Sequence, residues 1–382
     1  MKSLKTIHDL QIGMLGGGQL GLMLMQQAAC YNLNVHILDP DPNAPARNLC
    51  TKFTCGDFND YETVMNFGKN KDIITIEIEH VNTDALQNLK EQGKKIYPDP
   101  DILVQIKDKG LQKMFYQKHG IPTADFFLIE KKQDIEKYKN FFPFIQKLRK
   151  GGYDGKGVYK LNHIQQIEGA FDAPSVLERK VDIKNEISVL VARNERGEIK
   201  TFPSVMCEFH PTAHLVEFLY SPSGISKKME KKASEIAVEI VQKFNFTGLM
   251  AVEYFINKEG ELLVNEIAPR VHNSGHHTIE GNITSQFDQF WRSILDLPLG
   301  DTSIIRPAVM INLLGEPGHQ GKAHYRGLEN VLQFKGVYVH LYNKQQTRPM
   351  RKMGHITVTA DTIEQAIEKA RTVKSFIKVI CE

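Results

Sequence analysis

The sequence predicts an α/β unit, then an α+β unit, then a small β-rich end, and three observations carry this reading. Over the first hundred residues, apolar runs of strand length alternate with helically spaced stretches, which implies a parallel, doubly wound sheet. Pro98-Asp99-Pro100 closes that pattern. Beyond it, short strand-like runs gather around a few long helical stretches, the mark of an α+β arrangement.

The elements follow in order. Gln11–Leu15 is an apolar run ending in glycines, and Leu20–Cys30 has helical spacing through Leu22, Met25, Ala28 and Ala29. Asn34–Leu38 reads as a strand closed by the turn-rich Asp39–Pro45, and Asp72–Ile78 as a buried strand. A helix is predicted over Asp101–His119, stopped by Gly120 and Pro122. Phe126–Ile129, Phe144–Lys147 and Val176–Leu177 read as strands, the last two separated by the glycine-dense Gly151–Gly157. Ile187–Ala192, Met250–Phe255 and Leu262–Ile267 are further strands, joined by a helix over Lys227–Phe244. Ala308–Leu313 and His355–Thr359 complete the set. The predicted units are 1–105, 106–300 and 301–382.

At 382 residues the chain is long enough for two or three domains, and 41% hydrophobic with 24% charged residues is ordinary globular composition. A net charge of +3, from 48 basic and 45 acidic residues mixed along the chain, argues against a nucleic-acid partner. The five cysteines are odd in number and without C-x-x-C spacing, so neither a disulfide framework nor a zinc site is expected. Met1–Gln11 is polar, and no run approaches the roughly 18 apolar residues of a membrane helix, so no membrane partner and a cytoplasmic location are expected.

Gly16-Gly17-Gly18-Gln19-Leu20-Gly21 fits G-x-G-x-x-G between a strand and a helix, with Asp39 ending the next strand. Glycines let backbone amides approach a phosphate, and a helix N-terminus favours an anion. On residues 1–40 alone a nicotinamide-dependent dehydrogenase and a ligand-free tight turn both remain open.

The second half narrows the choice. Lys150-Gly151-Gly152-Tyr153-Asp154-Gly155-Lys156-Gly157 is a glycine-dense loop with lysines, suited to fold over a ligand, and its amides with Lys147, Lys150 and Lys156 suit a triphosphate. Glu253 and Glu266 lie on adjacent strand signals that a hairpin through Asn257–Gly260 brings together. Carboxylates among strand apolars are costly unless paired or metal-bound, and oxygen ligands suit magnesium. Two exposed edge residues are the alternative.

Taken in order, Lys107, Lys147, the 151–157 loop, Glu178 to Val181, Glu186, Glu253 and Asn265-Glu266 resemble the nucleotide site of the ATP-grasp class. The run Asn265-Glu266-Ile267-Ala268-Pro269-Arg270-Val271-His272-Asn273-Ser274-Gly275-His276 resembles one family in it, N5-carboxyaminoimidazole ribonucleotide synthetase. So do Gly16–Gly21, Glu77-Ile78-Glu79-His80 and Arg348–His355, and the likeness spans about residues 11–360. The resemblance implies an ATP-grasp fold and the carboxylation of aminoimidazole ribonucleotide with ATP and bicarbonate, using Mg2+ and no biotin; a homodimer is expected. It further implies that Lys107 and Lys147 hold ATP phosphates and that residues 152–158, Gly152 through Gly157 to Val158, cover them. Glu178, Arg179, Lys180 and Val181 would line the adenine, Glu186 would take the ribose hydroxyls, and Glu253 and Glu266 would ligate magnesium. Asn265 would belong to the ATP site, and His210, in a stretch departing from the common family pattern, would contact ATP.

The ribonucleotide would meet Gln19, Leu20 and Glu79, with Lys344, Arg351 and Lys352 on its 5′-phosphate and Tyr153 and Asp154 on its base. Three cations within nine residues suit a doubly charged phosphate. Arg270, His272, Asn273 and Lys147 would serve the chemistry. His276 and His277 are not expected to hold a metal. A formate-dependent glycinamide ribonucleotide transformylase shares this architecture, and the 270–273 run favours the carboxylating family. A nucleotide-binding regulator without activity is the non-enzyme alternative.

Overall fold

The computed structural model describes residues 6–152, 157–209 and 215–381. Strands β1 (Gln11–Leu15), β2 (Asn34–Asp39), β3 (Lys52–Cys55), β4 (Ile73–Ile76) and β5 (Lys95–Tyr97) form a parallel sheet in the order β3-β2-β1-β4-β5. The chain moves outward from β1 on both sides, so a crevice opens beyond the C-terminal ends of β1 and β4. Residues 16–19 and 77–79 leave the sheet there.

Helix Gln19–Cys30 buries Leu20, Leu22, Met23, Leu24, Met25 and Ala28, more than one face's worth. A helix apolar on several sides is enclosed: this one packs on its own sheet and on helix Gln286–Ile294, where Trp291 donates its indole N–H to the Leu24 carbonyl at 2.9 Å. One core therefore joins the first sheet to the middle of the chain.

The stretch expected as a single helix is two, Pro100–Lys107 and Lys109–His119. Asp108 between them is extended (φ −110°, ψ 107°), and its carboxylate accepts from the amides of Gly110 and Leu111. An aspartate followed by Lys-Gly satisfies the second helix's first amides better than a continuous helix would.

A four-stranded antiparallel sheet follows: β6 (Phe126–Ile129), β7 (Phe144–Leu148), β8 (Val158–Leu161) and β9 (Ser175–Arg179), in the order β6-β9-β7-β8. Strand β8 was not foreseen, because Val158-Tyr159-Lys160-Leu161 is short and buries only Leu161 fully. The remaining strands are β10 (Ile183–Arg193), β11 (Ile199–Thr201), β12 (Val205–Phe209), β13 (Val216–Ser221), β14 (Gly248–Asn257) and β15 (Leu262–Ala268). After these come β16 (Ala308–Leu314), β17 (Gly321–Arg326), β18 (Val337–Leu341), β19 (Gln346–Thr347), β20 (Lys352–Thr359) and β21 (Lys378–Cys381).

Strands β15-β14-β10-β12-β13-β16-β20-β18 make one sheet, with β11 paired to β10, so a single hydrogen-bonded surface continues across residue 300. Helix Lys227–Lys243 covers part of it with Ala233, Ile236, Ala237, Ile240 and Val241. Among the described residues no helix is long and apolar enough to cross a membrane.

Candidate active site

The first glycine loop comes out differently from a dinucleotide site. Its amides are already taken: Gly17 donates to Asp39 (2.7 Å), and Gly18 and Gly21 donate to Glu77 (3.0 and 3.2 Å). Gly16 sits at φ +95°, and a Cβ there would lie 2.7 Å from the Glu77 carboxylate, so this position requires glycine. The loop thus cradles the chain's own carboxylates, and the reading of residues 16–39 as a nicotinamide site is not supported. Asp39 and Glu77 are both buried, and burial raises both pKa values. What the loop presents outward is Gln19.

On the far side, β7, β9 and β15 bring a set of charges together. Lys147 on β7 lies 2.9 Å from Glu178 on β9 and donates to the Asn265 side chain on β15 at 2.9 Å. Glu178 is buried, with Lys113 at 3.2 Å as its second partner. The carboxylate expected to line an adenine is therefore held by two ammonium groups, while Arg179 and Lys180 are exposed at the end of β9 and Val181 is partly buried. Lys107 ends its helix, donates to the Val81 carbonyl at 2.9 Å, and has its pKa lowered by burial and by nearby Lys150. Glu186 on β10 stands opposite Cys207 and Phe255, and burial pushes its pKa up to about 7.

Glu253 on β14 is directly opposite Glu266 on β15. Such a like-charge pair is unfavourable, and each carboxylate has its own compensation. Lys109 ion-pairs with Glu266 and holds its pKa down. Glu253 is pushed up, by burial first and then by the charge of Glu266, with His272 Nε2 at 3.7 Å. Among the described residues there is no group of three or more His, Cys, Asp or Glu able to hold a metal alone. Two apposed carboxylates beside the Asn265 amide do fit magnesium, which binds through one or two carboxylates plus substrate phosphates.

Beyond β15 the chain turns. Arg270 Nε lies 2.9 Å from Glu79, tying this segment to the end of the first sheet. His272 Nδ1 meets Ser274 Oγ at 2.9 Å. The Asn273 amide forms a reciprocal pair with Asn312 (3.0 and 2.9 Å), so its side chain secures the turn to β16. His276 and His277 are buried within the fold.

Lys344 donates to Gln19 and to the Lys352 carbonyl, both at 2.7 Å. Arg351 donates to the Gln346 carbonyl at 2.6 Å, and burial and the neighbouring Arg348 lower its pKa, with Asp41 pulling the other way. Asn343 reaches the Pro45 carbonyl at 3.3 Å. The basic segment thus docks on the crevice of the first sheet beside Gln19, while Leu20 is buried beneath.

Gly152, Gly157 and Val158 flank the glycine-dense loop, with Gly157 at φ +76°. Tyr153, Asp154, Gly155, Lys156 and His210 lie outside the described residues. Sequence reasoning missed Lys109 and Lys113. The available signal was two lysines four apart, on one face of a helix that buries Phe115 and Tyr116.

Fold and site together define a member of the ATP-grasp class. The ATP-grasp domain family matches residues 114–287, the ribonucleotide synthetase preATP-grasp domain 10–107, and the phosphoribosylaminoimidazole carboxylase C-terminal domain 308–369. The chain belongs to the N5-carboxyaminoimidazole ribonucleotide synthetase family. It is similar to the crystal structure of that synthetase from Thermotoga maritima, with 41% identity, a TM-score of 0.91, and coverage of 98% of this chain and 100% of that one. The synthase of Aspergillus clavatus in complex with ADP and 5-aminoimidazole ribonucleotide is 32% identical, with a TM-score of 0.89 over 97% and 99% of the two chains. Phosphoribosylaminoimidazole carboxylase from the chloroplast of Vigna aconitifolia is 35% identical over 94% of this chain, which spans 65% of that longer protein.

Proposed function

We propose that this chain joins aminoimidazole ribonucleotide, bicarbonate and ATP into N5-carboxyaminoimidazole ribonucleotide, ADP and phosphate, without biotin. The supporting observation is a site with two ends. Lys147, Asn265 and the Glu253–Glu266 pair form one end, Gln19 with Lys344 the other, and Arg270 bound to Glu79 lies on the segment linking them.

In this reading a bicarbonate oxygen attacks the γ-phosphorus, the bond to ADP breaks, and carboxyphosphate forms. The exocyclic amine then takes the carboxyl group directly or as released carbon dioxide, giving up a proton as phosphate departs. The protein's part is positioning and charge stabilisation. Lys107 and Lys147 face the phosphates, residues 152–158 cover them, and Arg179, Lys180, Val181 and Glu186 meet the nucleoside, while Glu178 stays with its two lysines. Glu253 and Glu266 would hold magnesium, which supplies positive charge to the phosphates. Arg270 holds the bicarbonate-derived anion through a planar fork, and His272 is the acid–base or anion contact. Gln19, Leu20, Glu79, Lys344, Arg351 and Lys352 seat the ribonucleotide. Water must be kept out, because carboxyphosphate hydrolyses readily.

The proposal extends to three units, 1–105, 106–300 and 301–382, and to a homodimer. It also places the protein in the cytoplasm, where five free thiols suit a reducing compartment. The decisive assay follows phosphate release with ATP, bicarbonate and aminoimidazole ribonucleotide, each omitted in turn. Release that requires the imidazole supports the reading. Equal turnover with glycinamide ribonucleotide plus formate, and none with the imidazole, would assign the transformylase instead.

A further inference from the structure

Lys113 lies outside every role assigned so far, yet its side chain is 3% exposed and ends on the carboxylate that also holds Lys147. Its ammonium lies 3.2 Å from Glu178 and donates to Thr123 Oγ1 at 2.6 Å, while that hydroxyl donates to the Val264 carbonyl on β15 at 2.6 Å. Lys147 approaches the other Glu178 oxygen at 2.9 Å and donates to Asn265. A buried polar network thus runs from helix Lys109–His119 through β9 and β7 to β15. It contains two ammonium groups and one carboxylate. A lone Lys147–Glu178 pair would be neutral, leaving Lys147 no net charge for a phosphate.

We propose that Lys113 is a positioning residue for nucleotide binding: it neutralises Glu178, so that Glu178 aims Lys147 without cancelling its charge, and the network offers one net positive charge to the triphosphate. The inference rests on the reading of Lys147 as a phosphate contact. Burying an ammonium that touches no substrate is costly unless it is paired. The cost shows in Lys113 itself, whose pKa burial lowers to about 8 against the pull of Glu178. Lys147 and Lys109 add repulsion to that cost.

The charge count gives the test. The wild-type network carries +1, K113M carries 0, and K113M/E178Q returns to +1. We expect K113M to raise the KM for ATP and the Kd for ADP about tenfold, the scale of one charge-assisted contact, with kcat changed less. K113R should stay near wild type, and K113M/E178Q should recover most of the lost affinity. A purely structural role predicts that the double variant binds no better than K113M, with affinity following melting temperature, and that result overturns the inference. Should K113M fail to fold, E178Q (+2) is compared with K113M/E178Q (+1). Tighter ADP binding by E178Q supports the inference, and equal or weaker binding overturns it. K147M separates the premise: if its ADP affinity matches wild type, the phosphate role of Lys147 falls. If K147M binds weakly and K113M normally, only the role of Lys113 falls.

Discussion

Lys344 donates a hydrogen bond to Gln19 at 2.7 Å across 325 residues of chain, joining the first loop of the parallel sheet to the last part of the molecule. Neither residue is a site by itself. Gln19 opens a helix whose preceding amides are occupied by Glu77, and Lys344 lies in a segment fastened to the crevice through Asn343 and Pro45. Together they set an ammonium group beside a polar side chain at the mouth of the crevice, an arrangement suited to a phosphate that binds but does not react.

Replacing Lys344 or Arg351 with alanine should therefore weaken the ribonucleotide far more than ATP. A charge-assisted contact of roughly 1.5–3 kcal/mol corresponds to a loss of about one to two powers of ten in affinity. Steady-state titration of aminoimidazole ribonucleotide at saturating ATP measures it. Half-saturation unchanged in both variants would remove the phosphate role.

Glu253→Gln and Glu266→Gln should each reduce turnover by orders of magnitude without unfolding the chain. Magnesium needs anionic oxygen, and an amide offers only a dipole. Glu253 is pushed toward its neutral form, so Glu253→Gln should leave stability near wild type, whereas Glu266→Gln takes the partner from Lys109 and should cost some stability. Turnover near wild type at saturating magnesium in both variants, or a collapse of melting temperature in place of activity, would argue for a structural pair.

Arg270→Lys should bind ATP almost normally and form product poorly. The substitution keeps the charge but loses the planar fork that meets Glu79 through Nε. The informative quantity is product formed per phosphate released, which should fall well below wild type, with His272→Asn affected more mildly. A normal ratio accompanied by weakened ATP affinity would move Arg270 into the nucleotide site.

Glu186 makes the ligand-free protein sensitive to pH. Its folded pKa is raised to about 7, mainly by burial, so the folded chain keeps a proton that the unfolded chain releases in the ordinary carboxylate range. Folding then takes up a proton between those two values, and stability contributed by this group falls as pH rises through that window. Glu186→Gln lacks the loss. Melting scans without nucleotide should show the variant above wild type at pH 8 and nearly level with it at pH 5. A constant difference across that range would show that the burial of Glu186 is not what the scan reports.

Much of the architecture was legible in the chain because its determinants are local. Strands β1, β2 and β6 announce themselves by apolar run and turn, and the helix expected over Lys227–Phe244 spans Lys227–Lys243. The order of Lys107, Lys147, Glu186, Glu253 and Asn265-Glu266 also suggests the ATP-grasp class, and the Asn265–His276 run suggests one family in it. The Asp108 break was less visible, since it depends on one side chain competing for the amides of the next helix.

What the sequence by itself determined is the list of parts: a glycine turn, strands carrying carboxylates, lysines near a glycine-dense loop, and a basic segment near the end. Tertiary structure decided which of them meet. Only the fold could show that the first glycine loop is filled by Asp39 and Glu77, and that Glu178 is shared by Lys113 and Lys147. The hairpin expected to bring Glu253 and Glu266 together does so, but only the fold fixes their register and sets Lys344 against Gln19. The physical reason is range. Turn and strand preferences act over a few neighbouring residues, whereas the charge state and partner of a side chain depend on burial and on groups brought close from distant parts of the chain.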